Sequence, residues 1–303
     1  MEESFLKKLI KNPKKISILK FDEIKEILHK ARNYFKKENL LLEFDVNNPE
    51  EEVYIIGDIH GNLETLTKFL DLVSKEEPKL IISLGDIVDR GQFQIECLII
   101  ALIFKILNPE RFFILRGNHE TLEMNKNYGF YYEFLEKFKD VEKFKEIISL
   151  YDVLPICAII NGSILCLHGG IPENFEILNQ IRGLKNEDIT KKNIDDSTLK
   201  SIDNAIFQIL WNDPKEGLQG FMESYRGPGI KFYGEGVFNE FMQANNLKYL
   251  IRAHEAFEEG YRWFFEGRLL SIFSSADYKG DYFPNPASFA IIKNNRLFPK
   301  TLE

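Results

Sequence analysis

Three short apolar runs, each ended by a glycine-led polar cluster and then a helix-length stretch, constrain the fold of this chain most. Residues 53–56 lead into Gly57-Asp58 and a helical pattern from Asn62 to about Ser74. Residues 80–84 lead into Gly85-Asp86 and a helix from about Gln92 to Leu107. Residues 112–115 lead into Arg116-Gly117-Asn118-His119 and further helix. Strand and helix alternating in this way predict a parallel sheet covered by helices. The polar clusters then fall at the carboxyl ends of the strands, where open α/β sheets carry their sites.

The second half has a different rhythm. Residues 154–160 and 163–167, joined by Asn161-Gly162, read as a hairpin. Apolar runs over 249–253, 261–265, 269–273 and 287–292, with turns at Gly260 and Glu266-Gly267, predict an antiparallel sheet facing the first. The expected fold class is α/β, with two mixed β-sheets packed as a central sandwich flanked by helices. Between these halves, residues 173–210 read as a polar stretch and then a helix over 198–209.

At the start of the chain, residues 22–39 form an amphipathic pattern. Ile24, Ile27, Leu28, Ala31, Tyr34 and Phe35 share one face. The basic segment 7–20 before it is broken by Pro13. Residues 1–21 are expected to be a solvated N-terminal extension with a small helix, and 22–303 a single domain.

Composition excludes several functions. The formal net charge of -8 argues against a nucleic-acid partner, which usually meets a basic face. An anionic substrate would need local positive charge at its site. Cys97, Cys157 and Cys166 lie in apolar runs without metal-type spacing. They read as buried free thiols, which suits a cytoplasmic location. The longest apolar run, residues 97–104, is too short to span a bilayer, so no membrane association is expected.

Histidine placement carries the chemistry. Of His29, His60, His119, His168 and His254, all but His29 sit in glycine- and aspartate-rich turns after expected strands. His29 reads as structural or exposed. Packing alone does not select strand ends for histidine. Asp58, His60, Asp86, Asn118, His168 and His254 together offer carboxylate, imidazole and amide ligands, a set suited to manganese, iron or zinc. Helix capping explains an aspartate after a strand, but not the accompanying histidines. Asp86, from the middle strand, could bridge two metals about 3.5–4 Å apart. Arg90 and Arg226 are candidate anion clamps, since arginine grips phosphate oxygens bidentately. A lone loop arginine is by default solvated or structural; the company of the metal constellation reverses that for Arg90, and spacing leaves Arg226 open.

The motifs occur as a series. Gly57-Asp58-Ile59-His60-Gly61, Gly85-Asp86-Ile87-Val88-Asp89-Arg90-Gly91 and Arg116-Gly117-Asn118-His119-Glu120 come first. Leu167-His168-Gly169-Gly170, Trp211-Asn212-Asp213-Pro214, Tyr225-Arg226-Gly227 and Arg252-Ala253-His254-Glu255 follow. From about residue 22 to 292 the chain resembles the phosphoprotein phosphatase family of serine/threonine phosphatases, within the calcineurin-like metallophosphoesterases. The resemblance implies two divalent metal ions, manganese foremost in vitro, with iron or zinc as alternatives. It implies Asp58, His60 and Asp86 on one ion, and Asp86, Asn118, His168 and His254 on the other. It implies His119 as general acid with Asp89 as its orienting partner, and direct attack by a hydroxide bridging the ions. Arg90, Arg226, Asn118 and Tyr278 would face the substrate phosphate. Phosphoprotein substrates and regulatory protein subunits are the implied partners.

The segment 274–281 departs from the family's SAPNYCG stretch, with Ala276-Asp277 for Pro-Asn and Lys279 for Cys. That leaves the position of Tyr278 for the structure to decide. No cysteine lies in a CxxxxxR loop, which argues against a cysteine-based tyrosine phosphatase. The rival readings are a dinucleoside tetraphosphate hydrolase, which shares the metal motifs, and a non-catalytic binding module, which the intact ligand set and His119 disfavour.

Overall fold

The computed structural model describes residues 2–185, 188, 194–280 and 284–302. Asp281, Glu303 and much of 186–193, on which some sequence expectations fall, lie outside the described residues. Helices α1 (Glu3–Lys11) and α2 (Phe21–Phe35) open the chain, with a 3-10 turn over Pro13–Ile18 between them. Strands β1 (Leu41–Phe44) and β2 (Glu52–Ile56), helix α3 (Leu63–Glu76), strand β3 (Leu80–Ser83), helix α4 (Gln94–Leu107) and strand β4 (Phe112–Ile114) follow. Helices α5 (Leu122–Tyr128), α6 (Phe130–Phe138) and α7 (Lys145–Tyr151) come next. After the hairpin of β5 (Cys157–Ile160) and β6 (Ile164–Leu167) come α8 (Ile177–Ile181), α9 (Asp196–Trp211), β7 (Asp213–Pro214), β8 (Phe221–Glu223), β9 (Lys231–Tyr233) and α10 (Glu235–Ala244). The chain continues through β10 (Tyr249–Arg252), β11 (Tyr261–Phe264), β12 (Leu269–Ile272), β13 (Ser288–Lys293) and β14 (Arg296–Thr301).

The expected β-α-β-α-β unit is present: β2, β3 and β4 are parallel, with Ile55 beside Ile82 and Ile82 beside Phe113. They lie in a five-stranded sheet of order β14-β13-β2-β3-β4. A six-stranded sheet of order β1-β5-β6-β10-β12-β11 faces it. Leu42, Ile160, Cys166, Ile251 and Leu270 from one sheet meet Ile55, Ile82 and Phe113 from the other in a buried layer. The outer face of the five-stranded sheet packs on α2–α4 and α6, and that of the six-stranded sheet on α8–α10. This is the sandwich flanked by helices that the sequence implied. The three cysteines are buried and free.

Two expectations need correction. The second sheet is mixed, in line with the expected fold class, rather than antiparallel throughout as its turns alone suggested, because β1/β5, β6/β10 and β10/β12 are parallel pairs. Residues 287–292 belong to the first sheet, where β13 runs antiparallel to β2 with Phe289 beside Ile56. Turn residues report local hairpins such as β5/β6. They carry no information on which distant strand a run will join. The three-stranded sheet of β7, β9 and β8 was likewise unforeseen.

The basic segment over 7–20 exposes its lysines but is docked on the helices by an apolar stripe. Leu6, Leu9, Ile16 and Leu19 are buried in the core cluster that contains α4. The reason lies in α4, which is buried from Gln94 to Ile106 around its whole circumference. A helix apolar on all sides must be covered on all sides. The sheet covers one side, and α1, the 3-10 turn and α2 pack against α4 from others. The lysines project outward from an apolar stripe that faces inward.

The first turn of α4 is capped from elsewhere. The Ile95 backbone N–H donates to Glu133 Oε1 at 3.0 Å. Burial, reinforced by the charge of Glu96, raises the Glu133 carboxyl from its ordinary 4.5 to about 7. The folded state therefore holds this proton more tightly than the unfolded chain. Its contribution to stability is complete below about 4.5 and is lost as pH rises through about 7. Glu133→Gln should flatten that part of the pH–stability curve in urea titrations between pH 4.5 and 8, and an unchanged slope would remove Glu133 from the account. Leu9→Ala should cost about 2–5 kcal/mol in the same assay, whereas exposed Ile18→Ala should stay within about 0.5 kcal/mol. Equal, small effects would mean that α1 is not part of the cooperative core.

Candidate metal centre

The site sits where three loops leave β2, β3 and β4, and it is fastened through Asp86. The Asp86 carbonyl accepts from the Ile59 and His60 N–H groups, both at 2.9 Å. The Asp86 N–H donates to Glu120 Oε2 at 2.8 Å, and Asp86 Oδ1 accepts from the His119 N–H at 2.8 Å. Loop closeness depends on glycine: a Cβ on Gly85, at φ +100°, would lie 2.3 Å from the Gly117 nitrogen. Strain concentrates here. His60 (φ 46°), Asp86 (52°), Asp89 (68°), Arg90 (75°) and His254 (70°) all occupy the left-handed region, which non-glycine residues adopt only when their surroundings over-determine them.

Four of the ligand candidates, Asp58, His60, Asp86 and His168, are oriented by their other polar atom. His60 Nδ1 donates to the Val88 carbonyl and His168 Nδ1 to the Leu84 carbonyl, both at 2.9 Å. Both rings thereby present a bare Nε2, the usual arrangement of an imidazole ligand. Asp58 Oδ1 accepts from the His254 N–H at 2.9 Å, which leaves Oδ2 free. Asp86 Oδ2 lies 3.7 Å from His60 Nε2, 3.4 Å from His168 Nε2 and 4.0 Å from His119 Nε2. His60 Nε2 is 3.5 Å from Asp58 Oδ2. His168 Nε2 is 2.9 Å from Asn118 Oδ1 and 3.2 Å from His254 Nδ1. Two groups of donor atoms, His60/Asp86/His119 and Asp86/His168/His254, are compact enough to hold an ion.

The donor set tests whether a cation belongs here. Asp58 Oδ2, Asp86 Oδ2 and His254 Nε2 are buried without any hydrogen-bond partner. Such orphaned atoms are costly unless a cation or proton completes them. The titration directions agree. Burial works against a charged His60, but the Asp58 hydrogen bond and the Asp86 charge raise it to about 9. Burial works against ionised Asp86 too, yet the charges of His168, His119 and His60 hold it well below the usual carboxylate range. His254 is pushed down by burial and by Arg226, so it favours the neutral, ligating form. The cluster is a negative centre lined by lone pairs, and divalent ions fit it.

The remaining expected residues surround this centre. His119 Nδ1 lies 2.7 Å from Asp89 Oδ2. The Arg90 guanidinium stacks 3.8 Å over the Tyr128 ring. The Tyr278 ring stacks on His60 at 5.2 Å despite the altered residues around it. Arg90, His60 and Tyr278 line one cleft of about 380 Å³. Arg226 lines another of about 760 Å³ with Tyr128, Trp211 and Tyr225. Arg226 Nε pairs with Asp213 Oδ2 at 2.6 Å, so the arginine arrives braced. His29 stands apart, beside Glu146 at 2.8 Å.

Sequence reasoning gave no role to Glu120 or Asp213, although both lie inside quoted motifs. Glu120 accepts the N–H groups of Asp86, Ile87 and Gly117 at 2.8, 3.0 and 2.8 Å, tying the β3 and β4 loops together. Asp213 also accepts from the fully buried Arg252 at 2.8 Å. An acid inside a metal motif without an evident ligand partner is the one signal that could have marked them.

Comparison with known proteins agrees with this geometry. Residues 52–257 match the calcineurin-like phosphoesterase family. The catalytic subunit of serine/threonine-protein phosphatase 4 from Candida glabrata is 35% identical over 242 residues, 80% of this chain and 74% of the relative. The chain belongs to the calcineurin-like phosphoesterases, in their phosphoprotein phosphatase branch. A Saccharomyces cerevisiae serine/threonine phosphatase structure, described as similar to human phosphatase PP5, superposes on this phosphatase-family fold with a TM-score of 0.81. It covers 100% of this chain and 96% of that one at 26% identity. A cold-active protein tyrosine phosphatase of Shewanella shares the fold at 17% identity and a TM-score of 0.58, covering 89% of this chain and 84% of that chain. Manganese added to metal-stripped protein should raise the unfolding free energy by about 2.7 kcal/mol at a hundredfold excess over Kd. Asp86→Asn should lose most of that gain in a thermal or urea titration, and an equal gain in the variant would put the ion elsewhere.

Proposed function

We propose that this protein is a metal-dependent serine/threonine protein phosphatase that hydrolyses phosphoserine and phosphothreonine by direct attack of water-derived oxygen. The observation that carries the reading is the imidazole of His119, braced by Asp89 at 2.7 Å and set 4.0 Å from the central Asp86 Oδ2. A proton donor beside a convergent donor set suits hydrolysis of a phosphate ester with a poor leaving group. Asp58, His60 and Asp86 would hold one ion, and Asp86, Asn118, His168 and His254 the second. When bound, divalent ions supply neutralisation of phosphate charge and lower the pKa of water.

The side chains have separate tasks. Arg90 and Arg226 bind phosphate oxygens from the two clefts, the first held by Tyr128 and the second by Asp213. Asn118 contributes its amide beside them. Tyr278 closes the site over His60. As the phosphorus–oxygen bond to the serine breaks, His119 Nε2 gives its proton to the departing oxygen. Asp89 stabilises the imidazolium and fixes Nδ1 as the donor toward itself. Water is the acceptor of the phosphoryl group, so no phosphoenzyme is needed, and the buried cysteines play no part.

Residues 22–303 act as one catalytic domain, with the N-terminal helices docked on it. Phosphoproteins are the substrates, and the relative's description as a catalytic subunit supports regulatory protein partners. Free thiols support a cytoplasmic location. Among the described residues no helix is long and apolar enough to cross a membrane.

Phosphate release should be measured from a phosphoserine/phosphothreonine peptide, a phosphotyrosine peptide and diadenosine tetraphosphate, with and without manganese. The expected result is manganese-dependent release from the first, lost in Asp86→Asn and reduced by about 10²–10⁴ in His119→Gln. Release mainly from the dinucleotide would make the protein a dinucleoside tetraphosphate hydrolase. No release from any substrate, with metal verified as bound, would leave a binding module.

A further inference from the structure

His119 is held by Asp89, and Asp89 is itself held. Asn125, on α5, donates from Nδ2 to Asp89 Oδ2 at 3.0 Å and to the His119 carbonyl at 2.8 Å. Asn125 Oδ1 accepts from the Tyr151 hydroxyl at 3.1 Å. Asp89 Oδ1 is fixed separately by the Phe130 N–H at 3.1 Å. Asn125 and Asp89 are fully buried and Tyr151 is 1% exposed. Water cannot replace a lost bond here, and three segments distant in sequence meet.

The direction of this chain follows from donor and acceptor types. Both neighbours of the Asn125 nitrogen are acceptors only, a carboxylate and a carbonyl. A flipped amide would set its oxygen against both. The Asn125 oxygen must therefore face Tyr151, and the Tyr151 hydroxyl must donate. Burial, with the charges of Glu120 and Asp89, pushes Tyr151 well above the usual tyrosine range, so the hydroxyl keeps its proton. The bonds then run one way: Tyr151 to Asn125, Asn125 to Asp89, His119 Nδ1 to Asp89. His119 Nε2 is left as the only ring position that can serve a leaving group.

We infer that Asn125 and Tyr151 are positioning residues for proton donation: they lock the Asp89 carboxylate so that His119 stays aimed at the departing oxygen. The inference rests on the reading of His119 as general acid. Neither residue touches a ligand candidate other than through this chain. Their loss should weaken leaving-group protonation and spare substrate binding.

Leaving groups separate this role from a merely structural one. A phosphoserine peptide expels an alkoxide that needs a proton, whereas p-nitrophenyl phosphate expels a stabilised phenolate that does not. Wild type, Tyr151→Phe, Asn125→Ala and His119→Gln should be assayed on both at saturating manganese, with folding checked by near-UV circular dichroism and thermal midpoint. Tyr151→Phe removes one oxygen and keeps the buried ring, so it remains informative if Asn125→Ala does not fold. The expected result is a kcat loss on the peptide of roughly threefold to tenfold for Tyr151→Phe and roughly tenfold or more for Asn125→Ala, fractions of the general-acid contribution of about 10²–10⁴. KM should not change, and rates on p-nitrophenyl phosphate should stay within about twofold, since that leaving group does not call on the acid. Equal losses on both substrates, a change confined to KM, or no loss in a folded Tyr151→Phe would overturn the inference. If His119→Gln shows no preference between the substrates, the general-acid reading itself fails. If His119→Gln shows it and the other two do not, only the positioning role fails.

Discussion

One carboxylate organises the centre of this molecule. Asp86 follows Gly85 in the loop just past the middle strand, and its groups reach both neighbouring loops. Its carbonyl holds the β2 loop, its N–H and Oδ1 hold the β4 loop, and its Oδ2 is left bare among three imidazoles. A single residue in a left-handed conformation therefore sets the separation of the loops and the position of the carboxylate oxygen common to both candidate ion groups. Glu120 repeats the fastening from the other side by collecting three N–H groups. Glycines at 85 and 117 let the backbones come this close.

Electrostatics follows from the same arrangement. Lone pairs converge on Asp86 Oδ2 and His168 Nε2. Against the effect of burial, the neighbouring carboxylates raise His60 and His168, the direction that supplies positive charge, while Asp86 is held ionised and His254 is pushed toward its neutral form. The arginines approach from outside this negative centre, each with its own brace. Arg252 is the instructive contrast. It is also close to Asp213, yet it is fully buried and spends its guanidinium on Gly169, Asn212, Ser271, Glu255 and Asp213. Arg252 is a structural cation. Arg226 pairs with Asp213 and lines a cleft, so part of its guanidinium faces open space.

Much of the candidate site was legible because its candidate ligands lie within short motifs at strand ends. Asp58, His60, Asp86, Asn118, His168 and His254 could each be found beside an apolar run and a glycine. What could not be read depends on contacts without local marks. Asn125 gains its meaning from Asp89, 36 positions away, and from Tyr151, 26 positions away. The same holds for the partner of β13, since an alternating apolar strand fits either sheet. In the first helix the lysines drew attention from Leu6 and Leu9, whose spacing of three was visible but whose partner, α4, was not. Periodicity tells which face seeks burial and is silent on whether another surface awaits it.

The sheet order has a consequence for how the chain emerges from a ribosome. Strand β2, which aims Asp58 and His60, is an interior strand only because β13 lies beside it, with Phe289 next to Ile56. At about 5–20 residues per second, the partner strand is made on the order of ten to fifty seconds later. For that interval a strand reading Glu-Val-Tyr-Ile-Ile has an open edge, the kind of surface that recruits wrong partners. Until β13 is made, the β2 edge stays open, and the loop that carries Asp58 and His60 leaves a strand with only one neighbour.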